Sequence, residues 1–577
     1  MHDWMKPSGT PRCLCAAWRC ASTFFAALLL SVLFAFPAPA ATGLDVLDRE
    51  RGRERTEPRS LPKVRISEDR IFSPQDAAAQ FFLGSLSISG ATVFSEAELL
   101  APYAHLKGAL VSFAAVNGIA ADLTKQYRDA GYLLSRVILP AQEVDQHSAH
   151  IRLNAVEGFI SSIEYSGDER VLERFKSWFA PAEQRLIGKK PLKHSDFERQ
   201  MLLLQDLPGI RASSRFQEGS SPGASILILD VQGDLLEMSA GWGNTGTKSA
   251  GPGMVSLNAG VNTLPVIGAR TAIAYSQANK FQEYWSLQVT ESYRMWNGLS
   301  FKASYAFSES QRQDTEFARL FDYETNSHTV NLGASYPLLR GRDMNVSLGL
   351  NYEHRDSDAF TLDERFTRDR LRALSANADF DFSDTLGGVT QVIPTLSRGL
   401  NLFDATHKHY EATNTLAPAE FWKLDIYVSR NQQLPYNFSL FAAAEAQFAD
   451  SSLSSYNRFS FGGGQFGRGY EPGAIEGDNA FAVSLEPRWT CSLSDTTAIQ
   501  PFAFIDWGTV WASRSVRGMP DEQRGSSFGA GLRLWGHVGE SYLPDFNFSA
   551  FVAKPLQRIR ANRGDDPRFV VQATLFF

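Results

Sequence analysis

Ten residues, FGGGQFGRGY from Phe461 to Tyr470, carry the most suggestive chemistry in the sequence and support two incompatible readings. Gly462, Gly464 and Gly467 fit the spacing G-x-G-x-x-G, a dinucleotide-binding fingerprint, with Arg468 beside them to hold a phosphate. That reading needs a strand before the glycines and a helix N-terminus after them. The chain instead continues as Tyr470-Glu471-Pro472-Gly473, and then NAFAVSLEPR (Asn479 to Arg488) alternates as a strand. The fingerprint is therefore accidental. The glycines read better as bends in a loop that presents one cation, Arg468.

Other reactive residue types are sparse. The Gly-x-Ser-x-Gly spacing occurs at Gly219 to Gly223 and at Gly525 to Gly529, but without the strand-turn-helix setting of a nucleophile elbow, so a nucleophilic hydrolase lacks its usual arrangement. His407 and His409 (THKHY) can share one strand face and could bind a metal, but two ligands without a convincing third are a weak signal. A surface loop suits both better, and neither a metal nor another cofactor is expected.

The elements that position Arg468 begin with the compartment. Lys6, Arg12 and Arg19 precede an uncharged apolar run, Ala21 to Phe36, and Ala38-Pro39-Ala40 offers a small-x-small cleavage site. Residues 1–40 thus read as a secretory signal peptide; sixteen apolar residues fall short of the ~20 that a spanning helix needs. Cleavage removes Cys13, Cys15 and Cys20, leaving Cys491 alone and excluding internal disulfides and Cys-based metal clusters. The lost segment carries three cations and one anion, so the formal charge moves from −7 to −9, which argues against a nucleic-acid partner.

From about residue 235 onward the chain alternates. Phe301, Ala303, Tyr305 and Phe307 interleave with Lys302, Ser304, Ala306 and Ser308; Leu374, Ala376, Ala378, Phe380 and Phe382 interleave with Ser375, Asn377, Asp379, Asp381 and Ser383. Each segment has one apolar and one polar face. A soluble sandwich alternates in the same way. Three features favour a membrane barrel: no helical region interrupts the strands, Trp285, Trp507, Trp511 and Trp535 suit interfacial girdles, and the chain stops on RFVVQATLFF with an aromatic, Phe577. Residues 235–577, shared among sixteen strands, leave about 21 residues per strand and connection, which fits spans of ~9–11 residues.

Ahead of the barrel, residues 41–75 are charged and Pro-containing and read as a linker or loose arm. A repeat comes next. Ser85 to Gly90 (SLSISG) matches Ser162 to Gly167 (SIEYSG), and Ile151-x-Leu153-x-x-Val156-x-Gly158 matches Ile226-x-Ile228-x-x-Val231-x-Gly233. Residues 76–158 and 159–234 therefore form two α+β modules, each reading strand, helix, helix, strand, strand. Their helices carry apolar stripes: Leu123, Tyr127 and Ala130 in the first, Phe197, Met201 and Leu204 in the second.

A signal peptide, two such modules and a C-terminal barrel resemble the outer-membrane transporters of two-partner secretion, the TpsB type. The modules resemble POTRA domains, and the resemblance covers nearly the whole mature chain. Two motifs sharpen it. The family carries Arg-Gly-Tyr/Phe at the tip of a long loop folded back into the barrel, here Arg468-Gly469-Tyr470. It also carries F-x-D-x-G on an inner-wall strand, here Phe504, Asp506 and Gly508. One departure stands out: the family places Val or a similar residue before the Arg, where this chain has Gly467, implying a more mobile loop or one anchored more by Tyr470. Some members also plug the pore with an N-terminal helix. Leu44 to Arg55 is a poor candidate for it, and the sequence leaves the plug open.

On the strand PFAFIDWGTVW, Asp506 shares a face with Phe502, Phe504 and Gly508, while Ile505, Trp507 and Trp511 take the other face and suit lipid. A guanidinium reaching that wall can pair in bidentate fashion with Asp506, and Tyr470 can stack on Phe502 or Phe504. Composition alone leaves open that Arg468 and Asp506 are unrelated solvated charges; the resemblance favours the pair.

The resemblance implies a pore that exports one large unfolded protein, a TpsA-like haemolysin, haemagglutinin or adhesin, without ATP. The modules would capture it in the periplasm of a Gram-negative cell by strand addition, with Leu133 to Leu139 and Ile210 to Phe216 as candidate edges. The barrel would contact outer-membrane lipid and be inserted by the barrel assembly machinery, with Phe577 as part of the signal. An assembly factor of the same superfamily is the nearest alternative, although such relatives usually carry more modules. A passive porin is a more distant one.

Overall fold

The computed structural model describes residues 80–577 apart from 146, 248–250, 281–282, 312–321, 409, 515–520, 538–544 and 560–565. The signal peptide, the charged arm and the Leu44–Arg55 segment lie outside the described residues.

The repeated motifs become paired strands. In the first module β1 (Gln80–Ser89) is followed by α1 (Glu96–Leu100), a 3₁₀ turn (Ala101–Leu106), β2 (Leu110–Ser112), α2 (Phe113–Asp129), β3 (Arg136–Ile138) and β4 (Ala149–Val156). The sheet order is β2-β1-β4-β3, with β1 parallel to β4. Helix α2 starts where Ser112 Oγ accepts the N–H of Ala115, and it buries Val116, Ile119, Leu123 and Tyr127 at helical spacing. The expected stripe ends there. Ala130 lies past the last turn and is exposed, because the chain leaves the helix before Gly131 at φ +89°.

In the second module β5 (Phe159–Gly167), α3 (Glu169–Leu186), α4 (His194–Gln205), β6 (Ile210–Glu218) and β7 (Ala224–Gly233) follow in order, and the sheet runs β5-β7-β6. Strands β5 and β7 are parallel, as β1 and β4 are. Val171, Phe175, Phe179, Ala182 and Leu186 form one buried stripe of α3 against Phe197, Met201 and Leu204 of α4. The strand-helix-helix-strand-strand pattern holds here. The first module differs in having the short β2 and a second strand cut to Arg136–Ile138, with Pro140 unable to continue its ladder.

Glu157 sits where the modules join and is buried. Its carboxylate accepts the Thr92 N–H at 2.7 Å, the Thr92 hydroxyl at 2.5 Å, the Val93 N–H at 3.3 Å and the Tyr127 hydroxyl at 3.1 Å. Burial alone would raise its pKa, but these donors outweigh burial and hold the group below the usual carboxylate range. Burial and the adjacent carboxylate push the Tyr127 phenol up.

From Leu236 the strands form a closed antiparallel barrel that ends with Arg568–Phe576. Its seventeen segments make sixteen staves, because Cys491–Ser492 continues Asn479–Trp489 along the same neighbour, Thr497–Trp511. Alternation sorts lipid from lumen: Phe301, Tyr305, Leu350 and Phe448 are exposed on the outer wall, whereas Ser304 and Gln447 are buried inside. The first and last staves pair from Gln572↔Gly243 to Phe576↔Ser239. Beyond that ladder the Asn244 side chain imitates a strand, donating to Phe569 O at 2.8 Å and accepting the Val571 N–H at 2.7 Å. Phe577 is exposed and exchanges backbone hydrogen bonds with Met238 at 2.9 and 3.3 Å.

The second module docks on one rim of the barrel. Asp206, capping α4, receives Arg340 in bidentate fashion at 2.8 and 2.9 Å. Arg340 also donates to Asn345 at 2.6 Å, which in turn donates to Asp381 at 2.7 Å. Around this clamp Trp178 Nε1 reaches Arg294 O at 3.3 Å, Arg174 reaches Thr263 O at 3.1 Å, and Arg185 lies 4.6 Å over the Trp296 ring. The loop 450–478 belongs to the opposite rim.

Candidate functional site: the loop tip and the wall it meets

That loop folds back into the lumen instead of projecting outward. A hairpin of Phe459–Phe461 with Ile475–Gly477 forms its stem. Phe461 is fully buried, its ring lying over Gly508 and Gly525 of two neighbouring wall strands. A Cβ at either glycine would come within 2.6 Å of that ring, so the small wall residues are what admit the loop. Gly467 adopts φ +75°, and a Cβ there would meet the Phe461 ring at 2.5 Å. A branched residue before Arg468 does not fit this packing, which accounts for the departure from the family pattern.

Arg468 then reaches the wall. Its Nε donates to Asp506 Oδ2 at 3.1 Å, its Nη2 to Asp506 Oδ1 at 2.8 Å, and its backbone N–H to Oδ2 at 2.9 Å. Nη1 donates to Glu486, and Nη2 also reaches Ser484 Oγ at 2.8 Å. The guanidinium lies 3.6 Å over the Phe504 ring. Asp506 is 0 % exposed and Arg468 6 %, so the pair is dry. Gly469 N–H donates to Ser527 Oγ at 3.1 Å. The wall strand presents Phe502, Phe504, Asp506 and Gly508 inward and exposes Ile505, as parity requires.

Tyr470 does not stack on Phe502 or Phe504. The guanidinium holds the Phe504 face, and Arg533 lies 4.0 Å over Phe502. The Tyr470 ring instead tilts against Phe461 at 5.9 Å, and its hydroxyl donates toward Ser526 O at 2.8 Å and Gln557 O at 2.9 Å. It is fully buried, which anchors the tip.

Two charged partners of the tip, Glu486 and Arg568, escaped the sequence reading. Glu486 lies on the strand Asn479–Trp489 and gathers Arg468, Arg488 at 2.7 Å and Arg533 at 2.7 Å. The alternation of NAFAVSLEPR held the signal: Glu486 and Arg488 share the lumen parity of Ala480, Ala482 and Ser484. Arg568 of the last strand donates to Tyr470 O at 2.9 Å and, at 3.5 Å, to Thr245 O beside the first stave; no local pattern marks it. His407 belongs to the loop 400–421, where its Nδ1 accepts the Ala419 N–H at 3.2 Å. His409 lies outside the described residues.

A sixteen-stave barrel preceded by two small α+β modules and entered by a wall-bound loop defines a class: outer-membrane β-barrel transporters with POTRA domains. The chain belongs to the haemolysin secretion/activation protein family, ShlB/FhaC/HecB, which it matches over residues 223–534; residues 81–158 match the ShlB-type POTRA domain. It is similar to the heme/hemopexin transporter protein HuxB of Haemophilus influenzae, 22 % identical over 479 residues, covering 80 % of this chain and 81 % of that one. It is also similar to the outer membrane transporter CdiB of Escherichia coli, 23 % identical over 492 residues with 80 % and 81 % covered. The solved structure of CdiB from Escherichia coli superposes with a TM-score of 0.70 at 20 % identity, covering 92 % of this chain and 97 % of that one. CdiB from Acinetobacter baumannii gives 0.61 at 16 % identity with the same coverage. The protein is thus an outer-membrane transporter that exports a partner protein, with its POTRA modules in the periplasm. The rim bearing module 2 faces the periplasm, and the loop 450–478 enters from the cell-surface side.

Proposed function

We propose that the cargo is one large, unfolded protein of haemolysin, haemagglutinin or adhesin type, and that the loop carrying Arg468 is the moving element that admits it. The observation that carries this reading is the burial of Arg468 between Asp506 and Glu486 inside the lumen, where a passing chain needs the space. The protein acts as a conduit and not as an enzyme, and no nucleotide drives it.

The modules capture the client by adding one of its strands to a sheet edge, which suits an unfolded chain because main-chain bonds carry the affinity. β6 is the stronger candidate edge, with nine residues against three for β3. Arg468, Gly469 and Tyr470 form the pore-loop tip; Phe504, Asp506 and Gly508 form its seat; Phe577 belongs to the signal read by the barrel assembly machinery. The test is Arg468→Ala, with surface cargo and folded barrel measured in the same membranes. Cargo should be lost while the barrel remains, and unimpaired export overturns the reading. Depletion of the protein should lower one secreted product and leave other outer-membrane proteins at their levels.

A further inference from the structure

The seat of Arg468 stands without Arg468. Ser484 Oγ donates to Asp506 Oδ1 at 2.8 Å, and Ser527 Oγ lies 3.4 Å from Oδ2. Glu486 keeps two other arginines, Arg488 and Arg533, both at 2.7 Å, and Arg533 is itself fixed by Gln500 at 3.1 Å. Phe504 is stacked on Phe502 at 6.2 Å and meets the edge of Phe551 at 5.7 Å. All of these groups belong to wall strands. When the tip leaves, these wall contacts remain available and the box lacks one cation, while Asp506 faces the lumen with the hydroxyls of Ser484 and Ser527 as its remaining donors among the described residues. A carboxylate held in place among fixed wall groups and short of its cation favours a replacement partner.

The geometry selects that partner. Two carboxylate oxygens accept a planar fork, a second carboxylate and a hydroxyl take its far nitrogens, and an aromatic face lies beneath it. A guanidinium meets all of these together; an ammonium offers no fork and no plane to stack.

We propose that this wall box is a guanidinium-binding site in its own right, which, once the loop tip withdraws, takes arginine side chains of the chain being exported. The inference rests on the proposed movement of the loop. Each arginine in transit would replace Arg468 in turn, so cargo keeps the seat neutralised and the tip displaced until the last residues have passed.

The experiment titrates N-ethylguanidinium into the purified full-length Arg468→Ala protein in detergent, by calorimetry. Saturable binding of one cation per barrel is expected, with at least a tenfold preference over ethylammonium and no binding after Asp506→Asn is added. Wild type should show none, since its own arginine fills the site. A short unstructured peptide with a single arginine should bind as the small cation does, and its lysine counterpart should not. Equal heats in Arg468→Ala and Arg468→Ala/Asp506→Asn, or equal affinity for ethylammonium, overturn the site. Binding of the small cation without binding of the arginine peptide overturns its assignment to cargo. If Arg468→Ala fails to assemble, Arg468→Gln serves with the same outcomes. The titration involves no export, so a variant that binds the cation yet exports normally would sink the loop mechanism and leave the site standing.

Discussion

Two arginine–aspartate clamps hold this molecule together at its two ends, and they differ in what surrounds them. Arg340 and Asp206 join the second module to the periplasmic rim in bidentate fashion, with side-chain exposures of 7 % and 13 %. Arg468 and Asp506 join the loop tip to the inner wall with comparable distances, but Asp506 is sealed from water and a second carboxylate and an aromatic face complete the seat. The two arginines are equally buried; Asp206 keeps some contact with water, whereas Asp506 has none while the tip is seated, so removing Arg468 with the loop in place leaves a charge without solvent. On the proposed mechanism the lumen clamp is the one that opens, the tip being either seated or replaced by another cation.

The largest effect should come from breaking the lumen clamp. Arg468→Ala leaves Asp506 uncompensated at a local cost of about 3–5 kcal/mol, and export should fall at least tenfold (on the order of 1.4 kcal/mol or more in rate terms). The double variant Arg468→Ala/Asp506→Ala should recover much of the lost thermal stability, read as the temperature at which the folded barrel changes mobility on a gel. Simple additivity of the two single variants would show that the pair is not coupled.

Asp206→Ala should cost less, about 1.5–3 kcal/mol for hydrogen bonds to a charged group. The expected outcome is faster proteolysis of the linker at 234–236 and a few-fold loss of export, with the barrel's gel mobility unchanged. A loss of export equal to that of Arg468→Ala would erase the distinction between the clamps.

A third buried carboxylate, Glu157, is held by neutral donors and isolates the effect of hydrogen bonding from that of ion pairing. Its folded pKa lies below its unfolded value, so its contribution is fully present above the unfolded pKa of ~4.3 and is lost as pH falls through the folded value. Glu157→Gln should lower the stability of module 1 by about 1–3 kcal/mol at neutral pH and flatten its acid dependence. Hydrogen exchange of residues 110–157 against pH measures this. An unchanged acid limb in the variant would assign the dependence to other groups.

The smallest expected effect is at the seam. Asn244→Ala removes two neutral hydrogen bonds, worth about 1 kcal/mol each, and should lower the barrel's unfolding temperature slightly while leaving the tip seated.

Much of the molecule is readable from its residues alone, for identifiable reasons. Strand alternation has a fixed period of two, so the inward face of PFAFIDWGTVW, and with it Asp506, follows from parity once a barrel is assumed. The repeated SLSISG and SIEYSG segments mark the parallel strands β1 and β5, because the same pleated, half-buried place imposes the same pattern twice. Glu486 was readable by the same parity. The position of Tyr470 was not: aromatic pairing depends on which cation has already taken which ring, and Arg468 and Arg533 had taken both. Ala130 failed as a core residue because its helix ended one residue earlier than the apolar stripe suggested.

The sequence by itself determined the alternating strands of a barrel and the two modules, since these rest on periodicity and on an internal repeat; the pairing of a loop arginine with a wall aspartate was legible only through the family resemblance of its two motifs. Only the tertiary structure decided that Glu486 shares the guanidinium, that Arg568 ties the tip to the last stave, and that Asp206 of α4 meets Arg340 of the barrel. Those partners lie between 18 and 134 positions apart in the chain. Docking of the module on the rim and infolding of the loop bring them together, and both need the closed barrel as their template.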